Sequence, residues 1–127
     1  MVQAKVGKGG LLGVFPLMVA KNEGRKLLTE AQYWHAVGLA KRLSEFGNRQ
    51  AMSDMDISPV EDMWELKDKG GILGKLNLRV FFAHVKARHE IVILGVEQKQ
   101  QEGKTPRHVI IKMQNRLDSY LGQMSRG

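Results

Sequence analysis

Cysteine is absent from the 127 residues. That excludes a disulfide scaffold, a Cys-ligated zinc or iron–sulfur site, and a thiol nucleophile. A reducing, cytoplasmic setting fits the absence. Proline occurs three times, and aromatic side chains make up 6% of the chain. The longest apolar run, Leu11 to Ala20, is interrupted by Gly13 and Pro16. It is about half the ~20 residues a membrane-spanning helix needs. Lys5 and Lys8 precede it as in a secretory leader, but Met18 stands where a leader wants a small residue. Gly7-Lys8-Gly9-Gly10 is too short and misplaced for a phosphate-binding loop. No catalytic carboxylate pair appears, and no two histidines have ligand spacing. No metal or cofactor is therefore expected, and a small-molecule enzyme is the least favoured class.

What is present is ordinary globular composition, 43% hydrophobic and 26% charged. One domain over 1–127 is expected, with 1–10 and 122–127 loose. Twenty Lys+Arg against thirteen Asp+Glu give a formal charge of +7. The excess is uneven: residues 1–70 carry +1 and residues 71–127 carry +6. A basic half points to a polyanionic partner, and a solvated basic surface is the plainer alternative.

Val14 to Ala20 reads as a strand, with Pro16 placing it at an edge or bulge. Lys21 to Lys26 reads as a polar turn. Thr29 and Gln32 form a capping-box pattern. The helix they open presents Tyr33, Ala36, Val37, Ala40, Leu43 and Phe46 on one face, and Gly47-Asn48 ends it. Ala51 to Val60 reads as a loop with room for one short turn of helix. Met63 to Lys67 alternates in period two and reads as a strand, followed by a turn over Asp68-Lys69-Gly70-Gly71. Leu76 to Val85 reads as a strand, Lys86 to His89 as a hairpin loop, and Ile91 to Val96 as a strand covered on both faces. A polar loop, Glu97 to Lys104, leads to a last helix with Thr105 as N-cap and Pro106 at the first position. Its stripe is Val109, Ile110, Met113, Leu117, Tyr120, Leu121 and Met124. The order predicts an α+β domain, a small antiparallel sheet with helices.

Four strings carry a family resemblance. They are Leu39-Ala-Lys-Arg-Leu-Ser-Glu-Phe-Gly47, Met63-Trp-Glu-Leu-Lys67, Leu78-Arg-Val-Phe-Phe82, and Ile93-Leu-Gly-Val-Glu-Gln-Lys99 followed by Gly103-Lys-Thr-Pro106. In this order and spacing, over about residues 39–121, they resemble the phage-derived branch of the RelE/HigB toxins, within the RelE/ParE superfamily. The resemblance implies a RelE-like fold: a twisted antiparallel sheet packed against an N-terminal and a C-terminal helix. It implies the toxin of a type II toxin–antitoxin system, a metal-independent endoribonuclease acting on mRNA at the ribosome. The implied partners are mRNA, the ribosome and a cognate antitoxin of helix-turn-helix type with an acidic contact surface, all in the cytoplasm and away from membranes. A ParE-like inhibitor of gyrase and a non-catalytic nucleic-acid-binding protein of phage origin are the alternatives.

In such toxins the ribose 2′-OH attacks the adjacent phosphorus and the 5′-oxygen leaves. The protein must align the RNA, offset charge on the transition state and move protons. Arg79, a charge inside an apolar strand, is the first candidate as a phosphate clamp; an ion pair with Glu65 or Glu97 is the alternative. His108 and Lys99 are the other catalytic candidates. Lys67, Lys75, Lys104, Arg107 and Arg116 are candidates for RNA binding, against the plain reading of solvated side chains. Lys99, Lys104 and Arg107 cluster where a helix begins, a favourable place for phosphate. His84 is a lesser candidate and His35 a structural residue. Trp64 reads as a core anchor, with base stacking as the alternative. Two departures from the family pattern stand out. Gln98-Lys99 replaces a lysine pair, and the tail from Gly122 offers neither His nor Tyr.

Overall fold

The structure, a computed structural model, describes residues 11–68, 76–99 and 104–126. Five strands run β1 (Gly13–Pro16), β2 (Asp56–Val60), β3 (Met63–Lys67), β4 (Leu78–Val85) and β5 (Glu90–Gln98). Three helices are α1 (Met18–Leu27), α2 (Glu30–Arg42) and α3 (Arg107–Arg126). The sheet order is β1-β5-β4-β3-β2. Neighbours from β2 to β5 are antiparallel, but β1 lies parallel to β5. The sheet is therefore mixed rather than purely antiparallel. A parallel neighbour needs a long connection, and everything between β1 and β5 supplies it.

Three further differences from the sequence reading have local causes. The expected strand over 14–20 stops at Pro16, and the polar stretch after it is helical. Leu17, Ala20, Gly24 and Leu28 recur at helical spacing, but the polar residues around Gly24 hide the pattern. Gly24 lets α1 close onto α2: a Cβ there would lie 3.3 Å from the Tyr33 ring. The expected loop over 51–60 contains the edge strand β2. It tolerates Pro59 because an edge strand leaves one side unpaired, and Glu61, at φ 58°, turns it into β3. At α3 the carbonyl of Pro106 accepts from the backbone N–H of both Val109 and Ile110, at 3.1 and 3.2 Å. Pro106, not Thr105, therefore holds the N-cap place. The helix also continues through Arg126, where a loose tail was expected. The capping box of α2 forms as predicted: Gln32 N–H donates to Thr29 Oγ1 at 3.2 Å and Thr29 N–H to Gln32 Oε1 at 2.9 Å.

Two cores sit on opposite faces of the sheet. Phe46, Leu66, Phe82, Ile91 and Ile93 fill the face toward α1 and α2. Phe81, Met63, Val92, Leu94, Met113 and Leu117 fill the face toward α3. Trp64 packs edge-on against Phe46 at 5.1 Å, as a core anchor. Register along β4 and β5 passes from Phe81↔Gly95 to Phe82↔Ile93, so Leu94 is the extra residue of a bulge. The bulge leaves the Leu94 carbonyl to accept from Arg116 Nη1 at 2.9 Å. Gly95 is required beside it, since a Cβ would come within 2.5 Å of Arg116 Nη1 and of Met113 Cε. Gly95→Ala is expected to lower unfolding free energy by about 1–3 kcal/mol through overpacking, measurable by urea denaturation.

Candidate nucleic-acid interface

On the α3 face a row of charges crosses four strands. The registers Asp56↔Lys67, Lys67↔Arg79 and Arg79↔Glu97 place them side by side. Two cations directly opposite each other repel unless neutralised, and each here has its own carboxylate. Lys67 Nζ lies 3.5 Å from Asp56. Arg79 Nε donates to Glu65 Oε2 at 2.9 Å, from the diagonal position on β3. Glu97, directly opposite Arg79, is instead held by Lys112 of α3. The Thr105 hydroxyl donates to the second oxygen of Glu65. That bond ties the segment entering α3 down over β3.

Arg79 is only 3% exposed. As a phosphate clamp open to RNA it is therefore corrected: its guanidinium is buried and donates to an internal carboxylate. Of the two carboxylates the sequence offered, Glu65 is the partner. The positional signal was available, because a diagonal cross-strand neighbour lies within reach of a long side chain.

Arg116 is also corrected as an RNA contact. Its Nη1 and Nη2 donate to the two carboxylate oxygens of Glu23 on α1, at 2.9 and 2.8 Å, so it clamps α3 to α1. It lies nine residues beyond Arg107, about 13 Å along the helix. Burial alone would raise the Glu23 pKa. The Arg116 hydrogen bond, the Val96 N–H and the charges of Arg116 and Lys112 outweigh burial and hold it below the usual carboxylate value.

The remaining candidates gather near the start of α3. Lys104, Arg107 and His108 are exposed, Arg107 at 72% on its side chain with Glu61 3.6 Å away. Lys99 is half-buried at the end of β5, where its backbone N–H donates to the Asn77 carbonyl at 3.0 Å. The Asn77 side-chain amide in turn donates to the Lys99 carbonyl at 3.1 Å. Lys75 lies outside the described residues. The geometry thus joins Arg79 to the segment entering α3 through Glu65 and Thr105, pairs Lys67 with Asp56, and leaves Arg116 apart.

The other histidines sit elsewhere. His84 rests edge-on against Phe46 at 5.5 Å, on the α1–α2 face. Burial, with Lys86 and His89 nearby, lowers its pKa. His35 Nε2 lies 3.0 Å from Asp68. Among the described residues no three His, Asp or Glu side chains are grouped to hold a metal ion, and no helix is long and apolar enough to cross a membrane.

At the far end of the α3 face Tyr120 donates its hydroxyl to the buried carboxylate of Glu90, with Arg88 Nε 3.5 Å from the same group. Burial, then the hydrogen bond and charge of Glu90, push the Tyr120 pKa to about 12. A raised folded-state value means stability fully present below the unfolded value near ~10 and lost as pH rises through the folded one. An ultraviolet titration of the folded protein is expected to show a tyrosinate step near pH 12. In Glu90→Gln that step moves toward 10; an unmoved step refutes the coupling.

The family described as "Phage derived protein Gp49-like (DUF891)" matches residues 26–118. Among solved structures the chain is similar to the RelBE2 toxin–antitoxin complex of Mycobacterium tuberculosis. The TM-score is 0.50 and the identity 16%, over 70% of this chain and 99% of that one. At that identity the likeness is one of fold. Curated protein sequences give no significant match.

Proposed function

The chain belongs to the phage-derived Gp49-like family and has a RelE-type fold. From that premise we propose that it is the toxin of a type II toxin–antitoxin pair, a metal-independent endoribonuclease that cuts mRNA at the ribosome. The observation that carries the reading is the exposed group Lys104, Arg107 and His108 at the start of α3, in the half of the chain that holds +6. Exposed cations there can meet consecutive phosphates, and guanidinium suits phosphate in a bidentate way. Lys67 closes β3, Lys99 follows β5, and Lys75 falls between β3 and β4 in sequence.

The reaction needs one proton removed from the 2′-OH as it attacks phosphorus and one delivered to the departing 5′-oxygen. His108 is the group proposed for proton transfer, since an imidazole can do either. Arg79 acts as a positioning residue. Through Glu65 and Thr105 it fixes the segment that presents Lys104 and Arg107. The partners of this reading are mRNA, the ribosome and a cognate antitoxin of helix-turn-helix type, in the cytoplasm.

Inducing the wild type in growing bacteria is expected to arrest growth with cleaved mRNA, and Lys104→Ala/Arg107→Ala is expected to weaken both. Arrest with translation continuing and DNA-damage signalling rising would instead identify a gyrase-directed toxin. No arrest and no cleavage would refute the toxin reading.

A further inference from the structure

The turn between β2 and β3 carries a carboxylate that the proposed chemistry does not use. The turn is Glu61-Asp62, between the paired residues Val60 and Met63. Glu61 takes its first place with φ 58°. Glycine adopts such a conformation without strain, and a glutamate does not. The backbone gains nothing from glutamate there, so its presence points to the side chain. Asp62 accepts from Gln114 Nε2 of α3 at 2.7 Å. Gln114 lies about two turns, or ~10 Å, beyond Arg107 on the same helix. The turn thus meets α3 at two heights, and the fold itself keeps Glu61 beside Arg107.

The Arg107–Glu61 pair differs from the other arginine pairs of the molecule. At 3.6 Å it is the longest ion pair among the described residues. Both of its side chains are more than half exposed. Such a pair in water holds weakly, and another anion can reach the guanidinium. Arg79 with Glu65 is buried and out of reach of an incoming anion. Arg116 is gripped at both terminal nitrogens by Glu23. Phosphate fits a guanidinium in the same bidentate way as carboxylate. We propose that Glu61 occupies Arg107 in the free protein as the stand-in for a phosphate, and that RNA loads by exchanging this carboxylate for one of its own phosphates. The inference rests on the RNA-interface reading and names how that interface is filled. Glu61 is a positioning residue: it fixes the long Arg107 side chain before RNA arrives, opposes binding by its charge, and carries no proton in the reaction. Its exposure lets water take it over once Arg107 has moved to phosphate.

The test titrates the purified full chain with a single-stranded RNA oligonucleotide, 2′-O-methylated so that it cannot be cut. Glu61→Gln is expected to lower Kd about three- to tenfold at low salt, with a smaller difference at high salt. Glu61→Gly removes the same charge and relieves the turn. It is expected to tighten RNA as much as Glu61→Gln while raising Tm. In an Arg107→Ala background the gain from Glu61→Gln is expected to shrink below about twofold, because the exchanged cation is gone. A Kd for Glu61→Gln within about 1.5-fold of wild type overturns the exchange. So does a gain that survives intact in Arg107→Ala, which would mean a general field, or a gain seen with glycine alone, which would mean the backbone. Cleavage of unmodified RNA that falls about a hundredfold in Glu61→Gln at unchanged Kd also overturns it, and makes the carboxylate a proton carrier. A wild type that binds RNA through Arg107 but cuts none removes the endoribonuclease reading and leaves the exchange standing. A wild type whose RNA affinity ignores Arg107→Ala overturns the interface and the exchange together.

Discussion

Arg79→Ala is expected to lower unfolding free energy by about 3–5 kcal/mol, because it strands the buried Glu65 carboxylate without its cation. For a chain of this size that is a fall in Tm on the order of 10 °C. The size follows from burial: the two side chains are 4% and 10% exposed, so water cannot take over the charge that is left. Replacing the pair together behaves differently. Glu65→Leu/Arg79→Met removes both charges, fills similar volume, and is expected to fall within about 1 kcal/mol of wild type. Thermal or urea unfolding of the single and double variants decides the point. Equal losses in both would mean that shape, not charge pairing, is what Arg79 supplies. The double variant also reads function. A guanidinium that touches no RNA leaves cleavage within about tenfold of wild type; a loss of about a thousandfold in a stable double variant would restore Arg79 as a phosphate clamp.

The second large effect is on the reaction itself. His108→Ala is expected to slow RNA cleavage by about 10²–10⁴-fold, the usual worth of a positioned acid or base. Stability should barely change, because the side chain is exposed on the first turn of α3. RNA affinity should change little as well. Lys104→Ala and Arg107→Ala are expected to do the converse, each weakening binding and reducing the salt slope by about 0.7, one phosphate contact on a single strand. Single-turnover cleavage beside filter binding at several salt concentrations separates the two behaviours. A His108→Ala protein that cuts RNA at the wild-type rate would remove the imidazole from the mechanism and leave proton transfer to a lysine.

The two effects differ in kind because Arg79 and His108 occupy different surroundings. Both are polar residues in the basic half of the chain. One is buried in the sheet with its carboxylate, where its removal is a folding event. The other lies in water, where its removal leaves the fold intact. Arg79→Ala alone is thus a poor test of chemistry, since loss of activity would follow from loss of structure.

Sequence by itself determined the parts of this protein that depend on near neighbours. The capping box at Thr29, the periodic stripe of α3 and the alternation of β3 are set by residues within a turn or a few positions, and all are present. The family strings worked in the same way, as local patterns in a fixed order. Local signals failed where long-range contacts dominate. The polar stretch around Gly24 becomes helix because Tyr33 and the sheet cover its inner side, and β2 becomes a strand because β3 offers it a ladder despite Pro59. Tertiary structure alone decided which cation meets which anion. Arg79 had two carboxylates in reach by sequence, and it takes Glu65 because Lys112 of α3 engages Glu97 and Thr105 completes Glu65. Arg116 is drawn to Glu23, distant in sequence, by the packing of α3 against α1. Charge acts through space and is indifferent to position along the chain, so composition could announce a basic half but not which of its members face solvent.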